Sequence, residues 1–225
     1  MKPFDCRLIV FAKAPIPGQV KTRLIPFIGE EAATALHQKL VSHCLSVASR
    51  ASVTPVELWC SPSSRHPFFI HSRKEFRLDL HTQPRGDLGR RMAFAFRKAL
   101  KKAPSALLIG TDSPSLTSDD IKKAAETLAR RVDAVITPAE DGGYVLLGLR
   151  RLAPDLFSGI PWGTNTVMEE TRLRLRRLKW RWRELPQRWD VDRPEDLERL
   201  RMEGYLHLMN TMGDNWRRPG RSSNP

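Results

Sequence analysis

Apolar residues in this chain fall into short unbroken runs that alternate with longer stretches of helical periodicity. Cys6 to Ala12 (Cys-Arg-Leu-Ile-Val-Phe-Ala) is rich in β-branched and aromatic residues and is followed by Pro15 and Pro17. It predicts a buried first strand. From Gly29 to about Arg50, Leu36, Leu40, Cys44 and Val47 recur at i, i+4, i+8 and i+11, the apolar face of one helix. Val56 to Cys60 predicts a second strand, closed by the polar stretch Ser61 to His66. Arg77 to Thr82 alternates polar and apolar, as a half-exposed strand does. Met92, Phe96 and Leu100 mark a further helix. Leu107-Leu108-Ile109-Gly110 carries no polar side chain and reads as a strand covered on both faces.

The second half repeats the alternation. Thr117 and Asp120 have capping-box spacing ahead of Ile121, Ala124, Ala125 and Leu128, a helix face ending near Arg131. Asp133 to Pro138 is a buried strand that should close a right-handed β-α-β unit with the strand before Asp112. Val145 to Leu149 is apolar again. Val167, Thr171, Leu175 and Leu178 then face one side of a helix whose other side is arginine. Trp180 and Trp182 alternate with Arg181 and Arg183 as on an edge strand. Trp189 to Asp192 reads as a strand end before a helix, with Asp192 and Glu195 at capping-box spacing and Pro194 in the first turn. Strands alternating with helices predict an α/β protein with a mostly parallel sheet and helices on both faces. One domain over residues 1–208 is expected, with no internal repeat or linker, and 209–225 as a disordered basic tail.

Composition changes this picture little, and charge changes it more. At 225 residues and 40% hydrophobic content the chain can bury a full core. No run approaches a membrane span, and Met1 to Asp5 lead into the first strand without the apolar core of a signal peptide. A cytoplasmic location is the expectation. Cys6, Cys44 and Cys60 are odd in number and widely spaced, so they are read as reduced core thiols. The formal charge of +13 favours anionic partners. Arg172, Arg174, Arg176, Arg177, Lys179, Arg181, Arg183 and Arg188 crowd one segment, and Arg217, Arg218 and Arg221 lie in the tail. A solvated face explains such runs as well as a binding surface does.

Candidate chemistry gathers at strand ends. Asp112, in Gly110-Thr111-Asp112-Ser113-Pro114, is delivered to the carboxyl end of a buried strand, where open α/β sheets bind ligands. An Asx-turn before Pro114 is the plain alternative. After the first strand, Ala12-Lys13 opens a proline-stiffened loop bearing Lys13, Lys21 and Arg23. That set suits a polyphosphate, Lys as a point charge and Arg as a bidentate fork, although the loop matches neither a Walker nor a dinucleotide fingerprint. Gly86 and Gly89 around Asp87 would let a ligand approach backbone and a helix start, while Asp87 is equally a helix cap. Asp141-Gly142-Gly143-Tyr144 sets an acid before another strand, and a hairpin turn explains it too. His37 and His43 are six apart, off one helix face, and are read as packing histidines; no histidine has metal-ligand spacing.

Five of these motifs, in this order, resemble the bacterial family known as domain of unknown function 2064, also called the radical-SAM/selenodomain-associated transferases and related to 2-phospholactate guanylyltransferase. They are Phe11-Ala12-Lys13-Ala14-Pro15 with Val20-Lys21-Thr22-Arg23-Leu24, Gly86-Asp87-Leu88-Gly89, Gly110 to Pro114, Asp141 to Tyr144, and Asp190-Val191-Asp192 with Pro194-Glu195-Asp196-Leu197. The resemblance runs from about residue 6 to residue 203. It implies a glycosyltransferase-A-like three-layer sandwich with a mostly parallel mixed sheet. It also implies Asp112 as a metal-binding acid, and Asp192, with Asp190 next, as the second. Two positions depart from the family pattern: Arg193 stands where Thr is usual, and Gly163-Thr164-Asn165 replaces Ser-Thr after Trp162. Acceptor specificity is therefore not carried over.

The expected function is a Mg²⁺- or Mn²⁺-dependent transferase using a nucleoside triphosphate or nucleotide-sugar and an unidentified small-molecule acceptor. Lys21, Arg23 and Asp112 are the expected catalytic residues. Ala12, Lys13, Gly86, Asp87 and Thr111 join them around the nucleotide, and Asp141, Gly142, Gly143, Tyr144 and Trp162 form an acceptor or donor loop. The rival expectation is a non-catalytic nucleic-acid-binding module using the Arg/Trp-rich segment 172–188. Contact of the basic helix with an anionic membrane surface is compatible with the first.

Overall fold

The structure, a computed structural model, describes residues 5–53 and 55–210. Seven strands form one sheet: β1 (Arg7–Lys13), β2 (Val56–Ser61), β3 (Asp79–Thr82), β4 (Ala106–Ile109), β5 (Ala134–Pro138), β6 (Tyr144–Leu149) and β7 (Trp182–Glu184). Their order is β3-β2-β1-β4-β6-β5-β7, and β6 alone runs against the rest. The helices are α1 (Ile25–Ile28), α2 (Glu30–Arg50), α3 (Pro67–Phe76), α4 (Leu88–Leu100), α5 (Ser118–Ala129), α6 (Val167–Arg177) and α7 (Pro194–Met202).

Alternate residues of the strands feed two cores. Leu8 and Val10 of β1, with Leu58 of β2 and Leu107 of β4, meet α2, α3 and α5 on one face. Ile9, Trp59 and Leu108 meet α4 and α6 on the other, through Met92, Phe96 and Leu175. This is the three-layer α/β sandwich expected from the sequence. A third cluster joins α2 to α7 through Leu36, Leu40, Trp189, Val191 and Leu200. Leu208 and Met209 are buried in it, while 211–225, the greater part of the expected tail, lie outside the described residues.

Three expectations are revised. The strands β4 and β5 are parallel and joined by α5, but β6 is inserted between them, so the crossover steps over one strand. Apolar runs do not encode direction. Pro67–Phe76 is a helix that the sequence pattern did not reveal; within it only Phe69 and Ser72 are buried, too few to set a periodicity. The segment before α7 is a loop and no strand: only Arg188 bridges to Ala139, and Asp190 and Asp192 lie beyond it. The capping acid there is Asp196, which accepts from the backbone N of Asp192 at 2.8 Å and of Arg193 at 2.6 Å, in place of the Asp192 and Glu195 pairing.

The reversed β6 positions the site. Because Leu146 lies opposite Ile109, β6 begins where β4 ends, and the β5–β6 turn holding Asp141 arrives beside Gly110 and Asp112. With Val10 opposite Ile109, β1 delivers Lys13 to the same edge.

Candidate active site

Asp112 is held by backbone as much as by side chain. Its carbonyl accepts from Val191 N at 2.9 Å, which pins the Asp190 to Asp192 loop to the end of β4. The two serines that flank Pro114 complete the clamp. Ser113 Oγ donates to Trp189 O at 2.7 Å, and Ser115 Oγ both donates to Trp189 O and accepts from Trp189 N at 3.1 Å. Neither serine was singled out in the sequence; two hydroxyls flanking a strand-end Asp-Pro turn are the signal for them.

The cationic loop meets the acids directly. Lys21 sits in the left-handed backbone region at φ 48°, its side chain only 4% exposed, and its ammonium donates to Asp112 Oδ1 and, at 2.6 Å, to Val191 O. Arg23 pairs with Asp192. The third cation, Lys13, turns back to donate to Gln19 O at 2.6 Å and closes its own loop. So the structure brings Lys21, Arg23, Asp112 and Asp192 together as two cross-loop ion pairs and leaves Lys13 out of them.

These pairings set the electrostatics. Enclosure by protein pushes the Asp112 carboxyl up, but the Lys21 ammonium, by charge and by hydrogen bond, holds it below the ordinary carboxylate range. Asp190 has no ion-pair partner among the described residues. Burial, then the charges of Asp141 and Asp112, push its carboxyl up to about 6. Four acids, Asp112, Asp141, Asp190 and Asp192, thus converge with two cations, and negative charge is in excess. His37 and His43 serve as packing groups, as expected: their Nε2 atoms bond the carbonyls of Lys13 at 2.9 Å and Pro114 at 3.2 Å. Burial lowers both imidazoles below their usual value.

Across the crevice, Asp87 is the N-cap of α4, accepting from Arg90 N at 2.7 Å, while Gly86 takes φ 124° to turn the chain into it. Thr111 is buried. Gln83, not anticipated from the sequence, donates to Trp59 O at 2.7 Å and to Ala12 O at 3.4 Å, tying the β3 end to β1. In the β5–β6 turn, Asp141 Oδ1 accepts from Gly143 N at 2.8 Å, as the hairpin reading expects. Gly142 has φ 90°, and a Cβ there would stand 2.1 Å from Asn165 O, so only glycine lets the turn lie against the 163–165 loop. A cavity of about 260 Å³ opens beside these acids and is lined by Asp112, Asp141, Asp190, Tyr144 and Trp162. Of the residues expected around the nucleotide, only Asp112 lines it; Ala12, Lys13, Gly86 and Asp87 lie outside its wall.

The family described as "Uncharacterized protein conserved in bacteria (DUF2064)" has a sequence model that matches residues 44–164. The chain belongs to this family. The matched span holds Asp112 and Asp141, and the family pattern therefore includes both strand ends at the crevice; the cationic loop and Asp190 lie outside it. Among solved structures, a protein from Desulfovibrio desulfuricans G20, provisionally described as a nucleotide-diphospho-sugar transferase, is 29% identical with a TM-score of 0.83, over 95% of this chain and 97% of that one. The 4-diphosphocytidyl-2C-methyl-D-erythritol synthase of Anaerococcus prevotii DSM 20548 is 10% identical, TM-score 0.60, over 90% and 98%. A CMP:2-keto-3-deoxy-manno-octonic acid synthetase complexed with CTP is 14% identical, TM-score 0.56, over 90% and 99%. The last two likenesses are of fold alone. No curated protein matches the chain in sequence.

The segment expected to serve nucleic-acid binding is spent in part on the fold. Leu175 and Trp180 are core residues, Arg151 stacks over Trp180 with its guanidinium carbon 4.8 Å from the ring centre, and Arg172 is paired with Glu184. Arg188 makes a bidentate pair with Asp120 at 2.8 and 2.6 Å. No described helix is long and apolar enough to cross a membrane.

Proposed function

We propose that the protein is a Mg²⁺- or Mn²⁺-dependent transferase that takes a nucleoside triphosphate or a nucleotide-diphospho-sugar and passes its nucleotidyl or glycosyl group to a hydroxyl of a small acceptor. One observation carries this: Asp112, Asp141 and Asp190 converge with Lys21 and Arg23 where β1, β4 and β6 meet. Lys21 and Arg23 would meet the donor phosphates. Lys13 and the backbone of Ala12, Gly86 and Thr111 would complete that side, next to the helix start that Asp87 caps.

The donor set fits a hard divalent cation. Asp190 stands among like charges that burial and its neighbours leave uncompensated, and oxygen ligands suit Mg²⁺, which takes one or two carboxylates and fills its shell with phosphate and water. Among the described residues no three acidic, His or Cys side chains form a ready shell, in keeping with so sparse a protein contribution. Asp112 and Asp190, which share the cavity, would hold the ion, with Asp192 kept by Arg23. When bound, such an ion neutralises charge on phosphate oxygens.

The chain's own residues do the positioning. The acceptor oxygen forms the new bond as the bond to the leaving phosphate oxygen breaks. The electron pair departs with pyrophosphate or nucleoside diphosphate, and the hydroxyl proton passes to the crevice carboxylates. Isothermal titration with a panel of nucleoside triphosphates and nucleotide-sugars in Mg²⁺ tests the reading. Saturable binding of at least one is expected, and binding of none overturns it.

A further inference from the structure

Resting on that transferase reading, we infer that the acceptor is an alcohol with a flat apolar body and no phosphate or carboxylate group. The acceptor side of the crevice is the cavity of about 260 Å³, since Ala12, Lys13, Lys21, Arg23, Gly86 and Asp87 on the donor side lie outside it and Asp112 alone is shared. Its walls are Leu88, Tyr144, Trp162 and Val167, room and surface for a ring-sized body. Its charged lining is acidic throughout, Asp112, Asp141 and Asp190, with Ser113 and Thr164 as neutral hydroxyls, and no Lys, Arg or His lines it.

The neighbouring cations are committed elsewhere. Lys21 is bound to Asp112 and Val191, Arg23 to Asp192, and Arg91 to Gln83 and the Asp87 carbonyl. An anionic acceptor would enter a pocket with no counter-charge of its own. A divalent ion between Asp112 and Asp190 would share its charge with the donor phosphates, and Asp141 would still face the acceptor. The aromatic wall is also fixed in place: at Gly89 a Cβ would stand 2.6 Å from both Phe157 O and Trp162 Nε1, so the indole edge rests directly on the start of α4. Uncharged and cationic bodies suit such a pocket, and anionic ones do not.

Three probes of one size separate the possibilities: 2-phenylethanol, 2-phenylethylamine and phenyl phosphate. Each is titrated by calorimetry into the full chain with Mg²⁺ and a non-hydrolysable nucleoside triphosphate, the nucleotide Kd being measured on the same preparation. The alcohol and the amine are expected to bind, with phenyl phosphate at least tenfold weaker. Trp162→Ala should weaken the first two tenfold or more. Thr164→Lys, at an exposed position on the pocket rim, should raise phenyl phosphate affinity tenfold and guards against a folding defect in the first variant. Phenyl phosphate binding as tightly as the alcohol, or no probe binding, overturns the inference. Failure of every nucleotide to bind overturns the transferase reading instead, so the two failures are told apart.

Discussion

Asp112 and Asp120 belong to the same stretch of chain and both meet a basic side chain, yet they are built to opposite ends. Asp120 spends both oxygens: Arg188 grips it bidentately, and Thr117 donates to it from N at 3.0 Å and from Oγ1 at 2.9 Å. Burial raises its carboxyl, and Arg188 with Thr117 brings it below the ordinary range. Asp112 has a half-exposed side chain and one cation, and its neighbour Asp190 has none. The difference teaches how this fold uses acids. Where lone pairs are saturated by protein the carboxylate is architecture, and where they are left open it is, under the proposed reading, available to a ligand.

Paired substitutions should break the comparison most forcefully. Asp112→Asn is expected to lower Mg²⁺-dependent nucleotide binding and turnover at least 100-fold while moving Tm by only a few degrees. Asp120→Asn should cost about 2–4 kcal/mol, or roughly 5–12 °C in Tm, and keep activity per folded molecule. Calorimetry and thermal melts read both, and equal losses of stability would erase the distinction. Next in size, Gly142→Ala must fit a Cβ against Asn165 in left-handed backbone. It should cost about 1–3 kcal/mol and disturb acceptor KM more than nucleotide Kd, measured by melts and steady-state kinetics.

A smaller effect runs in the favourable direction. The Asp190 carboxyl is raised from 3.8 to about 6 in the folded chain, so between those values the native state binds more protons than the unfolded one. Its contribution therefore weakens stability as pH rises through that window and stays unfavourable above it. Asp190→Asn should accordingly raise the Tm of metal-free protein at pH 8 by about 2–4 °C, on the order of 1 kcal/mol, and give no gain at pH 3.5. Smallest of all, burial pushes the Cys44 thiol up to about 12, so iodoacetamide at pH 8 should leave it untouched in the native protein and modify it only after denaturant is added.

Much of the fold was legible because burial writes itself into composition. Leu107 to Ile109 and Ala134 to Ile136 are fully or nearly fully enclosed, and only apolar residues tolerate that. The α2 face and the Thr117–Asp120 capping box followed from periodicity and cap chemistry. Strand direction was not legible, so the reversal of β6 that carries Asp141 to Asp112 had to be seen. The partner choices of the site were hidden for another reason. Lys21 with Asp112 and Arg23 with Asp192 join residues far apart in the chain, and charge alone says which groups can pair without saying which do. Asp190 ranked behind Asp192 in the resemblance, and only packing shows which of the two is left unpaired. Ser113 and Ser115 were legible only as hydroxyls beside a turn, because their partner is the backbone of Trp189 and a backbone group has no residue type.

The pair of Lys21 with Asp112 has a consequence for how the crevice fills. Lys21, which would greet a phosphate, is already neutralised by Asp112, which would greet Mg²⁺, so either visitor alone must strand the other half of that pair. Arriving together, they let both halves exchange partners. Under the proposed reading the binding of nucleotide and of divalent ion is therefore reciprocal, each raising the affinity for the other by one common factor. Under that reading such a crevice behaves as a coincidence detector, more responsive to phosphate and Mg²⁺ in company than to either alone.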